Sequence, residues 1–189
     1  QKTFDFMALT AFPLIVGTFF TGTSIMVLVA GSSFTESGHL LKLLIVATGA
    51  IFFGSLFGHL INIINEQKKM LIGYFSVAVI AVVCYIVFIP RQGYWPAASI
   101  TILTEILVAL IGFWVFTRKT HIVPRLGYAA KTLSASCVMG VFLYAFPSLI
   151  LAVKIGGACA VYIVALTLTG GLTKQMVTSL LPSGVKNDL

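Results

Sequence analysis

The sequence predicts an all-α polytopic membrane protein with about six transmembrane helices. Of its 189 residues, 59% are hydrophobic and only 9% are charged, whereas a soluble domain carries about 25% charged residues. Apolar runs recur along the chain at close to the ~20 residues that a helix needs to cross a ~30 Å hydrocarbon core. Short turns rich in glycine, proline, serine or lysine separate these runs. These observations exclude a soluble globular domain and predict that 1–171 forms a single transmembrane helical region.

The first two predicted spans, at 6–30 and 40–65, each carry a polar stripe along one helical face. The stripe residues recur at the three- and four-residue spacing that brings side chains to the same side of a helix. The second span also carries a row of small residues, Ala50, Gly54 and Gly58, which we expect to let another helix approach closely. The stripes consist of Thr10, Pro13, Gly17, Thr21 and Ser24 in the first span, and Ser55, His59, Asn62 and Glu66 in the second.

The third and fourth spans, at 71–89 and 97–117, are predicted to form a hairpin. Pro90 and Gly93 are expected to end the first of these helices, because proline lacks the backbone N–H that a helix interior needs. Pro96 suits the first turn of the following helix, where that N–H would have no intrahelical partner. The hairpin therefore has a clear sequence signal at both sides of its turn.

The fifth and sixth spans are predicted at 127–146 and 149–170, with Pro147 and Ser148 between them. The remaining segment, 172–189, reads as a polar cytoplasmic tail. It contains a short amphipathic piece that we expect to lie at the membrane interface.

Lysine and arginine are distributed unequally between the two ends of the predicted helices. One end carries nine of them, and the other carries three, which are Lys42, Arg91 and Lys154. Because cytoplasmic loops are enriched in basic residues, the end with nine is predicted to be cytoplasmic, together with both termini. The net charge of +7 is therefore attributed to membrane orientation, and no nucleic-acid partner is expected.

Motifs of common enzymes and channels are missing from the sequence. There is no Walker A pattern, no GxSxG or HExxH motif, and no potassium-channel filter sequence. The three cysteines lie inside apolar runs without CxxC spacing, which does not favour a metal site or a disulfide framework. We expect no enzymatic activity, no catalytic residue, no metal and no other cofactor.

Glu105 is the sharpest candidate for a functional residue. It lies about eight residues inside the fourth span, roughly 12 Å deep at 1.5 Å per residue. A carboxylate at that depth is costly and indicates a function by default. Two interpretations stay open, a carboxylate that serves helix packing and one that carries protons or contacts substrate in an aqueous pathway. The other predicted members of a substrate or proton pathway are His59, Asn62, Thr101 and Arg91.

Simpler interpretations compete with several of these assignments. Serine and threonine hydroxyls in membrane helices commonly bond to the carbonyl four residues earlier in their own helix. His59 is either a hydrogen-bonded interior histidine or a cavity-facing, proton-sensitive one. The three-residue row around Gly54 is expected to serve packing. The polar faces of spans one, two and four are nevertheless the natural lining of a cavity.

Several segments together carry a family resemblance. They are Pro13 to Phe34, which ends in Val29-Ala30-Gly31-Ser32-Ser33-Phe34; Ile89-Pro90 with Gly93 and Ala97-Ala98; Leu103-Thr104-Glu105; Lys131 to Met139 with Val161-Tyr162; and the ending Gly170-Gly171-Leu172-Thr173-Lys174. In these segments the chain resembles the C-terminal part of the polysaccharide (O-antigen-type) flippases, in the multidrug/oligosaccharidyl-lipid/polysaccharide exporter superfamily. Pro96 departs from the family pattern, which has glycine there.

The resemblance implies one lobe of a two-lobe, MATE-like transporter in the inner (cytoplasmic) membrane. Such a transporter moves a lipid-linked oligosaccharide, a polysaccharide or O-antigen repeat unit on undecaprenyl pyrophosphate, across the membrane by alternating access. The implied partners are the lipid bilayer, the lipid-linked oligosaccharide, the missing N-terminal lobe of the same protein and the polysaccharide polymerase machinery. Two alternatives stay open, the lobe of a cation-coupled multidrug exporter and a membrane scaffold subunit that transports nothing.

Overall fold

Six α-helices follow the six predicted spans in a computed structural model that describes residues 1–171 of the chain. A single 3-10 turn, Ser32–Phe34, connects the first two helices, and no β-strand occurs in 1–171. The helices are α1 (Lys2–Ala30), α2 (Thr35–Ile63), α3 (Gln67–Gln92), α4 (Trp95–Thr120), α5 (Gly127–Ala145) and α6 (Leu151–Leu168). The prediction of an all-α chain with six helices is confirmed for 1–171, and the predicted tail at 172–189 lies outside the described residues.

Five of the described helices are long and apolar enough to cross a membrane, as expected of a multi-pass membrane protein. The exception is α5, which the sequence also predicted as a span. Its first half carries Lys131, Thr132, Ser134 and Ser136, and these polar residues lower its average hydropathy. The structure therefore bears out six helices, five of which have the length and composition of membrane spans.

The first four helices are longer than the predicted spans, although α2 ends two residues before its predicted end at 65, and the end of α3 corrects one prediction. Pro90 does not end α3, which continues to Gln92. Because proline has no N–H, the only helical hydrogen bond lost is the one from position 90 to the carbonyl of Ile86, and Ile86 is an exposed residue. Gly93 ends the helix instead, with a φ of 72° that favours glycine and an N–H that bonds to the Ile89 carbonyl at 3.0 Å. The prediction for Pro96 is confirmed, since it lies in the first turn of α4.

The order in which the helices pack differs from their order in the chain. Neighbouring pairs run in the order α3, α4, α2, α1, α5, α6, so α4 lies between α2 and α3, and α5 lies between α1 and α6. Helices α2 and α4 contact each other in register, with Gly54 opposite Ala109 and Phe57 opposite Gly112. Each outer helix thus rests mainly on its hairpin partner, and this leaves two long openings along the sides of the bundle.

Small residues allow the closest helix contacts. A Cβ atom added to Gly38 of α2 would lie 2.6 Å from the Cα atom of Thr23 in α1. A Cβ atom on Gly54 would lie 3.7 Å from the Cα atom of Ala109, an ordinary van der Waals distance. The expectation that the small-residue row in α2 serves helix packing is confirmed for Gly54.

Polar contacts bring several connections together at one end of the bundle. Gln1 donates to the carbonyl of Arg125 at 3.0 Å, and the ammonium group of Lys131 donates to the carbonyl of Gly170 at 3.3 Å. Both contacts involve residues close to the start of α5. The first described residue and the end of α6 therefore lie at the same end of the bundle. This is the end to which the sequence assigns most of the basic residues, and its cytoplasmic location stays a prediction.

Candidate functional site

The first opening, here called the α1–α6 groove, runs along α1 between that helix and α6, with α5 as its floor. Its volume is about 500 Å³. Its walls are mainly apolar, with a few hydroxyl groups from α1 and α6. Six of the residues that line it are Thr10, Pro13, Gly17, Thr21, Met139 and Tyr162. Four of the five residues in the predicted polar stripe of the first span therefore do line a cavity.

Most hydroxyl groups of α1 in this groove are already bonded to their own helix. Thr10 donates to the carbonyl of Phe6 at 3.0 Å, and Thr21 donates to the carbonyl of Gly17 at 2.7 Å. The simpler interpretation of these threonines is confirmed. Because these two hydroxyls are bonded to backbone carbonyls, the groove offers fewer free donors than the sequence stripe indicates.

Tyr162 of α6 supplies a hydrogen bond that α1 cannot make for itself. Pro13 has no N–H, so the carbonyl of Leu9, four residues earlier, has no partner within the helix. The Tyr162 hydroxyl donates to that carbonyl at 2.9 Å, and its side chain is almost completely buried. Sequence reasoning did not select Tyr162 as a functional residue. The available signal was a proline in the middle of a membrane helix, which calls for a donor from a neighbouring helix.

The second opening, here called the α2–α3 groove, lies between α2 and α3 and has a volume of about 480 Å³. It contains two of the predicted pathway residues, His59 and Asn62, both exposed. Three further polar residues were not predicted there, and all three come from the start of α3. These are Gln67, Lys68 and Tyr74. The predicted stripe of α2 therefore faces a cavity at this end of the bundle.

The carboxylate of Glu66, which lies beside the α2–α3 groove in the sequence, is already engaged in ion pairs. Glu66 accepts from the ammonium groups of Lys69 and Lys119, each at 2.9 Å. Hydrogen bonds from Lys119 and Lys69 lower the pKa of the Glu66 carboxyl below its ordinary value of 4.5. The pair with Lys119 ties the start of α3 to the end of α4. Glu66 is thus part of the α3–α4 connection, although it belongs to the predicted stripe of the second span.

Glu105 and Thr101 lie on α4, away from both grooves. Thr101 donates to the carbonyl of Ala97 at 2.9 Å and its oxygen lies 3.1 Å from the Tyr85 hydroxyl of α3. Glu105 is half-buried, and its carboxylate makes no hydrogen bond or ion pair within residues 1–171. Because Gly112 on the same face packs against Phe57 of α2, this face of α4 contacts neighbouring helices of the bundle.

Arg91 and Lys154, two of the three basic residues assigned to the end opposite the predicted cytoplasmic one, have different surroundings. Arg91 is exposed in the last turn of α3, where a positive charge is favourable at a helix C-terminus. Lys154 is buried, with a relative exposure of 7%. The structure therefore brings together His59 and Asn62, whereas Glu105 and Thr101 lie on α4 and Arg91 lies at the opposite end of α3.

No group of three or more His, Cys, Asp or Glu side chains in residues 1–171 is placed to hold a metal ion. The three cysteines are free thiols. Comparison of the chain with protein-family models, with curated proteins and with solved structures finds no match. The resemblance to polysaccharide flippases therefore stays a prediction from the sequence.

Proposed function

We propose that this chain forms one lobe of a transporter that moves a lipid-linked oligosaccharide across the cytoplasmic membrane by alternating access. The observation that carries the proposal is the α1–α6 groove, an elongated apolar opening of about 500 Å³ on the side of a helical membrane bundle. The sequence resemblance to flippases supplies the substrate class. The apolar lining of the groove matches the apolar chain of such a lipid.

The lining of the α1–α6 groove suits an isoprenoid chain. Apolar side chains such as Leu14, Ile25 and Leu143 form most of its surface. Two of the three α1 threonines in the groove, Thr10 and Thr21, donate their hydroxyl hydrogens to backbone carbonyls, so these hydroxyls need no bond from a ligand. An apolar chain that lies here would exchange lipid contacts for protein contacts at little cost, which favours reversible binding.

Helix α1 is also suited to a conformational change. Pro13 and Gly17 lie one turn apart on the groove side, and proline or glycine in a membrane helix permits local rearrangement when neighbours satisfy the backbone. Tyr162 is such a neighbour. We assign to α1 the movement that opens the lobe alternately to each side. Glu105 is the proposed proton carrier, because it is half-buried and unpaired within the described residues.

The proposed partners follow from this scheme. The lobe would work in the lipid bilayer against the N-terminal lobe that the family resemblance implies, and it would deliver sugar units to the polysaccharide polymerase machinery. Arg91 remains the proposed contact for the pyrophosphate at the outer end, because its guanidinium is exposed in the last turn of α3.

The test is transport by the protein, purified as its gene encodes it and reconstituted into vesicles with a lipid-linked oligosaccharide. Exposure of the sugar to an external glycosidase measures transport. Gly17→Leu, which places a side chain into the groove, should slow transport strongly. Gly156→Leu is the matched control, because no atom lies within 4 Å of a Cβ added there. Equal rates in vesicles with and without the protein would contradict the proposal and favour a scaffold.

A further inference from the structure

The α2–α3 groove exists because α4 separates the two helices that form its walls. Helix α3 packs along α4 and makes much less contact with α2. The floor contains Ile61 and Met70, which are 1% and 3% exposed and pack with Val115 of α4. The hydroxyl of Tyr74 approaches α2 at Gly58, 3.6 Å from the position of an added Cβ. The result is an apolar floor below a polar rim.

The rim offers hydrogen-bond donors and a positive charge. Asn62 and Tyr74 each carry a donor, His59 carries a ring N–H, and Lys68 carries an ammonium group. The Gln67 amide donates to the Asn62 carbonyl at 3.3 Å, which leaves one of its two N–H groups for a ligand. No aspartate or glutamate lines the groove within the described residues. A ligand with acceptor oxygens and negative charge therefore matches this rim.

The charge of Lys68 is available, whereas neighbouring basic side chains are engaged. Lys69 and Lys119 both bind Glu66, and the guanidinium of Arg118 lies 4.7 Å from the centre of the Trp114 ring. Lys68 is exposed and makes no ion pair within residues 1–171. The ion pairs of Glu66 thus remove the one nearby carboxylate that could neutralise Lys68.

The surroundings of the groove indicate where the ligand comes from. Leu71 lines the groove and is 69% exposed, and Ile72 and Phe75 beside it are similarly exposed on α3. Helix α3 is also the least buried of the five candidate spans. In a membrane this face meets acyl chains, so a headgroup in the groove can keep its chains along α3.

We propose that the α2–α3 groove binds the phosphate group of an anionic phospholipid, with Lys68 and His59 at the phosphate and the acyl chains along Leu71. Asn62, Gln67 and Tyr74 hold the remaining oxygens of the headgroup. This site is separate from the α1–α6 groove and does not depend on the proposed transport function. Binding there would anchor the α2–α3 connection at one leaflet of the bilayer.

The test uses the purified full-length chain in a neutral detergent, titrated with phosphatidylglycerol, with phosphatidylcholine, or with sn-glycerol 1-phosphate. Thermal unfolding reports binding, because a ligand that binds only the folded state raises the unfolding temperature. We expect phosphatidylglycerol to raise it most and glycerol phosphate to have little effect. Lys68→Gln should weaken phosphatidylglycerol binding about fivefold, the effect of one basic residue near an anionic surface.

The matched control is Lys2→Gln, which removes the same charge from an exposed lysine outside the groove. This control should bind phosphatidylglycerol as the wild type does, whereas His59→Gln and Tyr74→Phe should weaken binding. Equal losses in Lys68→Gln and Lys2→Gln would overturn the site and indicate a general charge effect. Equal stabilisation by phosphatidylcholine would overturn the role of the anionic headgroup. Equal stabilisation by glycerol phosphate would overturn the assignment to a lipid.

Discussion

The Tyr162 hydroxyl donates to the carbonyl of Leu9 at 2.9 Å, which joins α6 to α1 at a backbone group that α1 leaves free. The group is free because Pro13, four residues later, has no N–H to offer it. In a hydrocarbon environment no water is available to donate a hydrogen bond to such a carbonyl. Proline in α1 and tyrosine in α6 therefore form one structural unit, although they are far apart in the sequence.

This unit predicts a measurable coupling between the two residues. Tyr162→Phe should destabilise the fold by about 1–2 kcal/mol, because it leaves a buried carbonyl without a partner. Pro13→Ala restores the N–H at that position, so the double variant should lose less than the sum of the two single effects. Unfolding in a denaturing detergent measures each change. Strict additivity would contradict the link, and Tyr144→Phe, at a 77% exposed site, should have no effect.

Glycine positions in α2 should differ in their tolerance of alanine. Gly38→Ala brings a Cβ atom to 2.6 Å from the backbone of Thr23, so overpacking should cost about 1–3 kcal/mol. Gly54→Ala should be nearly neutral, because its Cβ atom would lie at an ordinary distance from Ala109. The measurement is the free energy of unfolding of both variants. The reverse order of stabilities would show that α1 and α2 do not cross as closely as described.

The Glu66 ion pairs predict a pH dependence in the acid range. Lys119 and Lys69 lower the pKa of the Glu66 carboxyl in the folded state below its ordinary value of 4.5. The stabilisation they provide is therefore present above pH 4.5 and is lost as the pH falls through the lowered pKa. Unfolding followed from pH 6 to about pH 2 should show a smaller loss for Glu66→Gln than for the wild type. Identical profiles would mean that the ion pairs contribute nothing to stability.

The sequence was a good guide to the helices and to which of them need close contacts. Apolar runs of membrane length predicted all six helices, and the row around Gly54 predicted a packing face. Helix ends were less predictable, because helices continue into the polar boundary regions for as long as their backbone bonds are satisfied. Pro90 is an exception to this rule, because α3 continues past it to Gln92 although the carbonyl of the exposed Ile86 loses its helical partner.

The candidate site was harder to predict, because it depends on which helices lie side by side. The stripe on α2 correctly indicated a cavity at His59 and Asn62, but only the packing of α3 on α4 brings Lys68 and Tyr74 to the same groove. The stripe on α4 was expected to line a cavity too. Gly112 instead contacts Phe57 of α2, a contact that no periodicity within α4 could reveal.

Glu105→Gln tests the proposed proton carrier. The variant keeps the shape of the side chain and removes its ability to titrate, so transport by the full protein should fall strongly at normal abundance. Glu105→Asp should retain part of the activity, because it keeps a carboxyl group. A packing role predicts a different pattern, in which the Gln variant transports normally and Glu105→Ala lowers abundance. Full transport by Glu105→Gln would exclude proton carriage by this residue.

The most direct measurement of the central claim, that the α1–α6 groove holds the lipid part of the substrate, uses two native thiols. Cys159 lines the groove and Cys137 does not, and both are exposed. Variants that keep only one of these cysteines are labelled with a small maleimide in detergent, with and without the lipid-linked oligosaccharide. The proposal predicts that the substrate slows labelling of Cys159 and leaves Cys137 unchanged. Equal labelling rates at Cys159 with and without saturating substrate would contradict it.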